Sequence, residues 1–289
     1  MKITFDKKSE DYRCVKRANM TFLFCILFEV VGAMTIMFWG TIGAQLAVYF
    51  LTFAFAVILA RKTNLSIPIH PIKRKSEDDW KSNFFNLVLA IGTTICGIPI
   101  AMILNAFASV LSSGGNQGAE DVNSYPIWLA LIVFAIVPAI VEEYVFRGVI
   151  LEEYRDVMGT KAAILMSSVF FALLHFSLGS VLYGFFFGLV FALVRLSTNN
   201  LVMTMAMHVT FNGLNVLLSY ANIEVVPNWI IVMAMIIGIV GFLILFFWLL
   251  SRNPVLIEEG RYMKRCVLTK EGYVSCGICV FIMCALIMM

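Results

Sequence analysis

From Asn19 to Met288 the chain is written almost entirely in apolar runs, and that continuity decides what it can fold into. Runs of spanning length lie at 19–40, 42–60, 83–106, 126–150, 161–178, 180–196, 200–220, 229–250 and 272–288. A helix needs about 20 apolar residues to cross a bilayer. The runs are continuous rather than alternating, which favours helical spans over barrel strands. Hydrophobic residues make up 61% of the chain and charged residues 13%, where a soluble domain has about 45–50% and about 25%. Mean hydropathy is +0.91. The expected fold is an all-α, polytopic transmembrane helical bundle of about eight or nine spans, with the short run 272–288 the least secure of them.

Basic residues orient the spans. The first 18 residues are polar, and no small-residue cleavage pattern follows the first apolar run, so no cleavable signal peptide is expected. Residues 1–18 read as a cytoplasmic N-terminal segment and residues 19–289 as a single membrane domain. With the N-terminus in the cytoplasm and nine spans, all 21 Lys and Arg fall on the inner side, counting Arg147 with the inner end of the fourth run. The outer segments SSGGNQGAEDVNSYP and ANIEVVPN hold none. The net charge of +3 is small and gives no reason to expect nucleic acid. His70, between Pro68 and Pro71 in the basic loop from Arg61 to Lys81, reads as a surface residue. Cys276 and Cys279 have redox or zinc spacing, but in an apolar tail without a second pair they read as small buried side chains.

Three polar groups interrupt the apolar pattern: Glu142-Glu143-x-x-x-Arg147, Phe171-x-x-x-His175 and His208-x-x-x-Asn212. One charged side chain near the bilayer centre costs about 2.5–3.5 kcal/mol on insertion scales, so three within IVEEYVFRGVI call for a reason. Residues four apart share a helix face, so Glu143 and Arg147 can pair. Glu142 has only Val145 and Phe146 at the corresponding positions and keeps no partner on its own helix. An unpaired carboxylate in apolar surroundings suits a general base. Glu142 and His175 are equidistant from the turn near EYRDVMGT, which puts them at similar depth in an antiparallel pair. Gly184-x-x-x-Gly188 lets neighbouring helices approach closely. Phe171 reads as packing, and Glu29 as a helix–helix hydrogen-bonding group without chemistry.

A carboxylate, two imidazoles and a carboxamide can hydrolyse a peptide bond in two ways. Glu142 can activate water with His175 holding it, while His208 and Asn212 donate to the developing oxyanion. Alternatively, Glu and His can hold zinc. No HExxH occurs and Asn is an uncommon zinc ligand, so no metal is favoured, with zinc the alternative. Nucleophilic Ser or Cys chemistry is weaker still, since GxSxG is absent. A proton-coupled transporter is a further reading, disfavoured by the lack of an evident two-fold repeat.

Taken in order and spacing, EEYVFRG, FALLH and HVTFN resemble the EExxxR, FxxxH and HxxxN pattern of the CAAX protease and bacteriocin-processing family, also called Abi. That family includes the type II CAAX prenyl endopeptidase. The resemblance covers roughly 127–218, with no departure at the motif positions. It implies an endopeptidase of the cell membrane, bacterial in origin, with a cavity opening to the cytoplasm and a peptide or protein substrate at that face. Glu142 would be the general base, His175 its water-positioning partner, and His208 with Asn212 the oxyanion site, with Glu143 and Arg147 in support. The same family holds non-proteolytic immunity and scaffold members, which supply the rival reading.

Overall fold

Glycines, not loops, make the sharpest reversals in this bundle. The computed structural model describes residues 9–69, 78–111, 122–221, 227–260 and 268–288. Its helices are α1 (Glu10–Thr63), α2 (Asp78–Leu111), α3 (Ile127–Leu173), α4 (Leu178–Thr198), α5 (Leu201–Tyr220), α6 (Asn228–Arg252) and α7 (Lys270–Met288). Six of them, α1 to α6, are long and apolar enough to cross a membrane. Among the described residues there is no β-strand, only an isolated bridge between Gly159 and Glu259. With this apolar surface, the chain is a multi-pass integral membrane protein.

Two of the helical runs are too long for one crossing. At about 1.5 Å per residue, the 54 residues of α1 far exceed a hydrocarbon core of about 30 Å. Gly40, with φ of 65°, breaks α1 into two arms. The arms fold back on each other: Phe24 meets Phe55 with ring centroids 4.5 Å apart, and Gly32 lies directly under Val48. Gly159, with φ of 79°, does the same for α3, bringing Phe146 against Phe171 at 5.4 Å. A positive φ is strained for any residue with a Cβ, so glycine is the natural occupant of both corners. The turn read near EYRDVMGT is the second of these corners, and the first falls where the runs 19–40 and 42–60 meet.

Some boundaries differ from the apolar runs. Helix α1 starts at Glu10, so residues 10–18 continue the first arm instead of standing apart from it. Ser9 caps it by accepting from the Tyr12 N–H. The second arm of α3 stops at Leu173, and Phe176 adopts φ of 49°, so His175 sits just beyond the helix end and not inside a span. Hydropathy could not show this, because the tight turn into α4 is itself apolar. Helix α7 packs on α1, with the Asn19 side chain donating to Thr269 at 3.0 Å, and is not among the six spanning candidates. Cys279 is buried and Cys276 half-buried, both as free thiols. His70 lies outside the described residues.

The core divides into two apolar clusters. One joins α1, α3 and part of α7, around Phe22, Phe146, Tyr154 and Phe170. The other joins α2, α4, α5 and α6, around Phe187, Phe191, Met207 and Phe242. Gly238 and Gly241 of α6 lie against Pro99 and Cys96 of α2, so those helices pack without intervening side chains. Elsewhere α6 shows the lipid a row of exposed residues, including Ile230, Met233, Ile237 and Ile244. The polar residues singled out above collect at the seam between the two clusters.

Candidate active site

Helix α3 carries the two glutamates on an irregular stretch. Residues Ile132–Ile136 and Tyr144–Ile150 are π-helical, flanking the α-helical turn Val137–Glu143. In the first, the Val137 N–H bonds back to the Ile132 carbonyl, five residues earlier. Pro138 helps explain this register, since it has no N–H for the Phe134 carbonyl. Such π-turns are frequent at functional sites. They change the angle at which residues upstream and downstream leave the axis, and Glu142 and Glu143 stand between them.

Glu143 and Arg147 form the expected pair, with Arg147 Nη1 2.9 Å from Glu143 Oε1 and both side chains fully buried. Arg147 Nη2 also donates to the Gly188 carbonyl at 3.2 Å, and its guanidinium lies 4.2 Å over the Phe171 ring. Phe171 is thus buried packing that also seats a cation. Gly188 has to be small, because a Cβ there would come within 3.0 Å of Ser168.

Glu143 does more than neutralise Arg147. His208 Nδ1 lies 3.1 Å from the same Oε1. A carboxylate paired with arginine can only accept, so His208 Nδ1 carries the hydrogen. Its other nitrogen, Nε2, is turned toward Glu142, 3.9 Å from Oε2. His208 therefore lies between two carboxylates, with 4% of its side chain exposed against 14% for Glu142.

Glu142 keeps no cation of its own, but it is not isolated. Tyr49, from the second arm of α1, donates to its Oε1 at 3.5 Å, and Gln45 donates to the Tyr49 oxygen at 2.9 Å. Behind it lies a small cavity shared with Glu29, Cys25 and Tyr49. Glu29 makes no helix–helix hydrogen bond among the described residues, so the expected role for it is not what the structure has. In front lies a cavity of about 350 Å³ lined by Glu142, His175, His208 and Asn212 together.

Glu142 and His175 make no direct hydrogen bond with each other among the described residues. Both line the cavity, but the groups hydrogen-bonded to or facing Glu142 are Tyr49 and His208. His175 instead places Nδ1 2.9 Å from the Phe171 carbonyl. A carbonyl only accepts, so Nδ1–H is fixed there and Nε2 of the neutral ring is left as an acceptor. Asn212 lines the cavity one turn beyond His208 on α5.

Three contributors were missed. Tyr49 sits in an apolar run far from Glu142 in sequence, and no spacing rule could have linked them. Asn215 and Ser219 also line the cavity, and their signal was present: His208, Asn212, Asn215 and Ser219 are spaced 4, 3 and 4, which is one helix face. Zinc needs three or four converging ligands at about 2.0–2.3 Å. Among the described residues no three His, Cys, Asp or Glu side chains form such a group.

No curated protein and no solved structure matches this chain. A family model does match part of it. The matched stretch, residues 124–214, contains Glu142, Glu143, Arg147, His175, His208 and Asn212, and it is similar to the family described as type II CAAX prenyl endopeptidase Rce1-like.

Proposed function

We propose that this chain is an intramembrane endopeptidase that hydrolyses a peptide bond of a membrane-associated peptide or protein by direct attack of water. The observation that carries the reading is Glu142. Of the two adjacent glutamates it is the one without its own guanidinium, and it faces a cavity with two imidazoles and a carboxamide. The similarity of residues 124–214 to a prenyl endopeptidase family supports the same class of reaction. Residues 127–218 form the catalytic core of a single membrane domain. The N-terminus is cytoplasmic, eight or nine arms span, and the membrane is that of a bacterial cell. The resemblance implies a substrate at the cytoplasmic face, whereas the cavity lies toward the other end of the helices.

In the reaction, Glu142 takes one proton of a water whose second O–H is held by His175 Nε2. The oxygen attacks the scissile carbonyl carbon. The resulting oxyanion accepts from His208 Nε2–H and the Asn212 carboxamide. Because Nδ1–H of His208 is already committed to Glu143, donation from Nε2 requires the imidazolium form. Collapse of the intermediate breaks the C–N bond, and the proton held by Glu142 passes to the leaving amine. No metal takes part in these steps.

The test is cleavage of a fluorogenic peptide library by purified protein carrying Glu142→Ala or His208→Ala, beside the cellular phenotype. Both variants lose cleavage and phenotype if the reading holds. A phenotype that survives both leaves the immunity or scaffold alternative. Strong, zinc-reversible inhibition by a chelator overturns the metal-free route.

A further inference from the structure

The cavity has one closed end and one open end. Along the cavity face of α5, Leu201, Thr204 and His208 are buried, Asn212 is half-buried, and Asn215 and Ser219 are exposed. The lining continues to Val122, beside the Tyr220 hydroxyl, which donates to the Val122 and Tyr125 carbonyls. In the opposite direction, Phe146, Arg147, Val149, Ile150 and Leu151 are fully buried. Ile67 packs on Gly148, and the Leu201 N–H donates to the Pro68 carbonyl at 2.9 Å, which closes that end.

Charge separates the same two ends. The closed end holds Glu152 with Arg155 and Arg195, Glu153 with Arg17, and nearby Arg61, Lys62 and Arg252. No Lys or Arg occurs in the sequence from 103 to 146 or from 196 to 251, the stretches that reach the open end. Basic residues favour the cytoplasmic side. The mouth therefore faces away from it.

The mouth also carries a graded set of polar groups. His208, Asn212, Asn215 and Ser219 span about 16 Å of helix at about 1.5 Å per residue. An extended peptide covers that distance with about five residues at about 3.3 Å each. Phe134, Tyr183 and Phe211 supply apolar walls. Side-chain carboxamides and a hydroxyl serve main-chain amides of any sequence, while apolar walls suit a segment arriving from lipid.

Resting on the peptide-hydrolysis reading, we infer that the substrate enters from the extracytoplasmic side, as an extended segment lying along the His208–Asn212–Asn215–Ser219 face. This reverses the cytoplasmic access that the family resemblance implies.

Sidedness is measurable without catalysis, so it can fail independently of the protease reading. Ser219→Cys and Lys62→Cys, in the full-length protein in its own membrane, are treated with a membrane-impermeant maleimide and mapped by peptide mass. Mapping by mass lets the native cysteines remain. Intact cells label Ser219→Cys, and Lys62→Cys labels only after the membrane is opened. The reverse order, or equal labelling of both from one side, overturns the inference. Ser124→Cys and Arg252→Cys form a second pair if either first variant fails to accumulate. For the path itself, purified Asn215→Cys is modified with the same reagent and assayed on the peptide library. Cleavage falls at least about tenfold if substrate lies there, and unchanged cleavage removes Asn215 from its path.

Discussion

Helix α3 contains two adjacent-glutamate pairs ten positions apart, and their surroundings differ in one respect. At the closed end, Glu152 meets Arg195 and Arg155, and Glu153 takes Arg17 in two bonds of 2.7 and 2.9 Å. There, three guanidinium groups answer two carboxylates. In the seam, among the described residues one guanidinium, Arg147, stands beside the two glutamates and pairs with Glu143, while the His208 ring lies between them. Full neutralisation makes the first pair a fastener between α3, α1 and α4. Incomplete neutralisation leaves Glu142 free to move a proton. Counting cations around each carboxylate separates framework from chemistry, where the sequence EE is the same in both.

Five substitutions test that contrast. Glu142→Gln removes the proton acceptor while keeping shape, so cleavage falls by about 10²- to 10⁴-fold with an unchanged melting temperature. Equal residual activity would put Glu142 in the same class as Glu152. Breaking a fastener should show the opposite profile. Arg195→Met leaves Glu152 under-compensated and costs about 3–5 kcal/mol, read by thermal unfolding in detergent, with activity per folded molecule retained. Arg147→Met should lose both stability and activity, because Glu143 then lacks its cation while still holding His208. Asn212→Ala removes one oxyanion donor and lowers kcat by about 10²- to 10³-fold. Smallest is Tyr49→Phe, which deletes one long hydrogen bond to Glu142 and costs about 0.5–1.5 kcal/mol, a few-fold in kcat. No change there would leave Tyr49 as packing.

Much of this was legible before any coordinates. Continuous apolar runs gave the helices, and the breaks between runs fell near both hairpin corners, although Gly40 itself was read as part of the first run. Helical spacing gave the Glu143–Arg147 pair and, extended by two rungs, would have given Asn215 and Ser219. Three things were not legible. The π-turns are choices of hydrogen-bond register, which hydropathy does not record, although Pro138 was a hint. The Tyr49 contact joins α1 to α3 across a tertiary interface. The third was which glutamate holds His208: the two neighbours differ by about 100° around a helix, and only packing decided that Glu143 takes Nδ1 while Glu142 faces Nε2.

Gly159 has a bearing on how the protein is made. A Cβ there would lie 2.3 Å from the backbone nitrogen of Gly260, and the Thr160 N–H donates to the Glu258 carbonyl at 3.1 Å. The corner of the α3 hairpin is clasped by a strip of chain that follows α4, α5 and α6 in synthesis. The segments carrying all four proposed catalytic residues are therefore made before the clasp exists. The hairpin must hold its shape through that interval by its packing and by the ion pairs to Arg17 and Arg195, and a chain stopped after Arg252 would carry the full set of reacting groups on a turn that lacks its clasp.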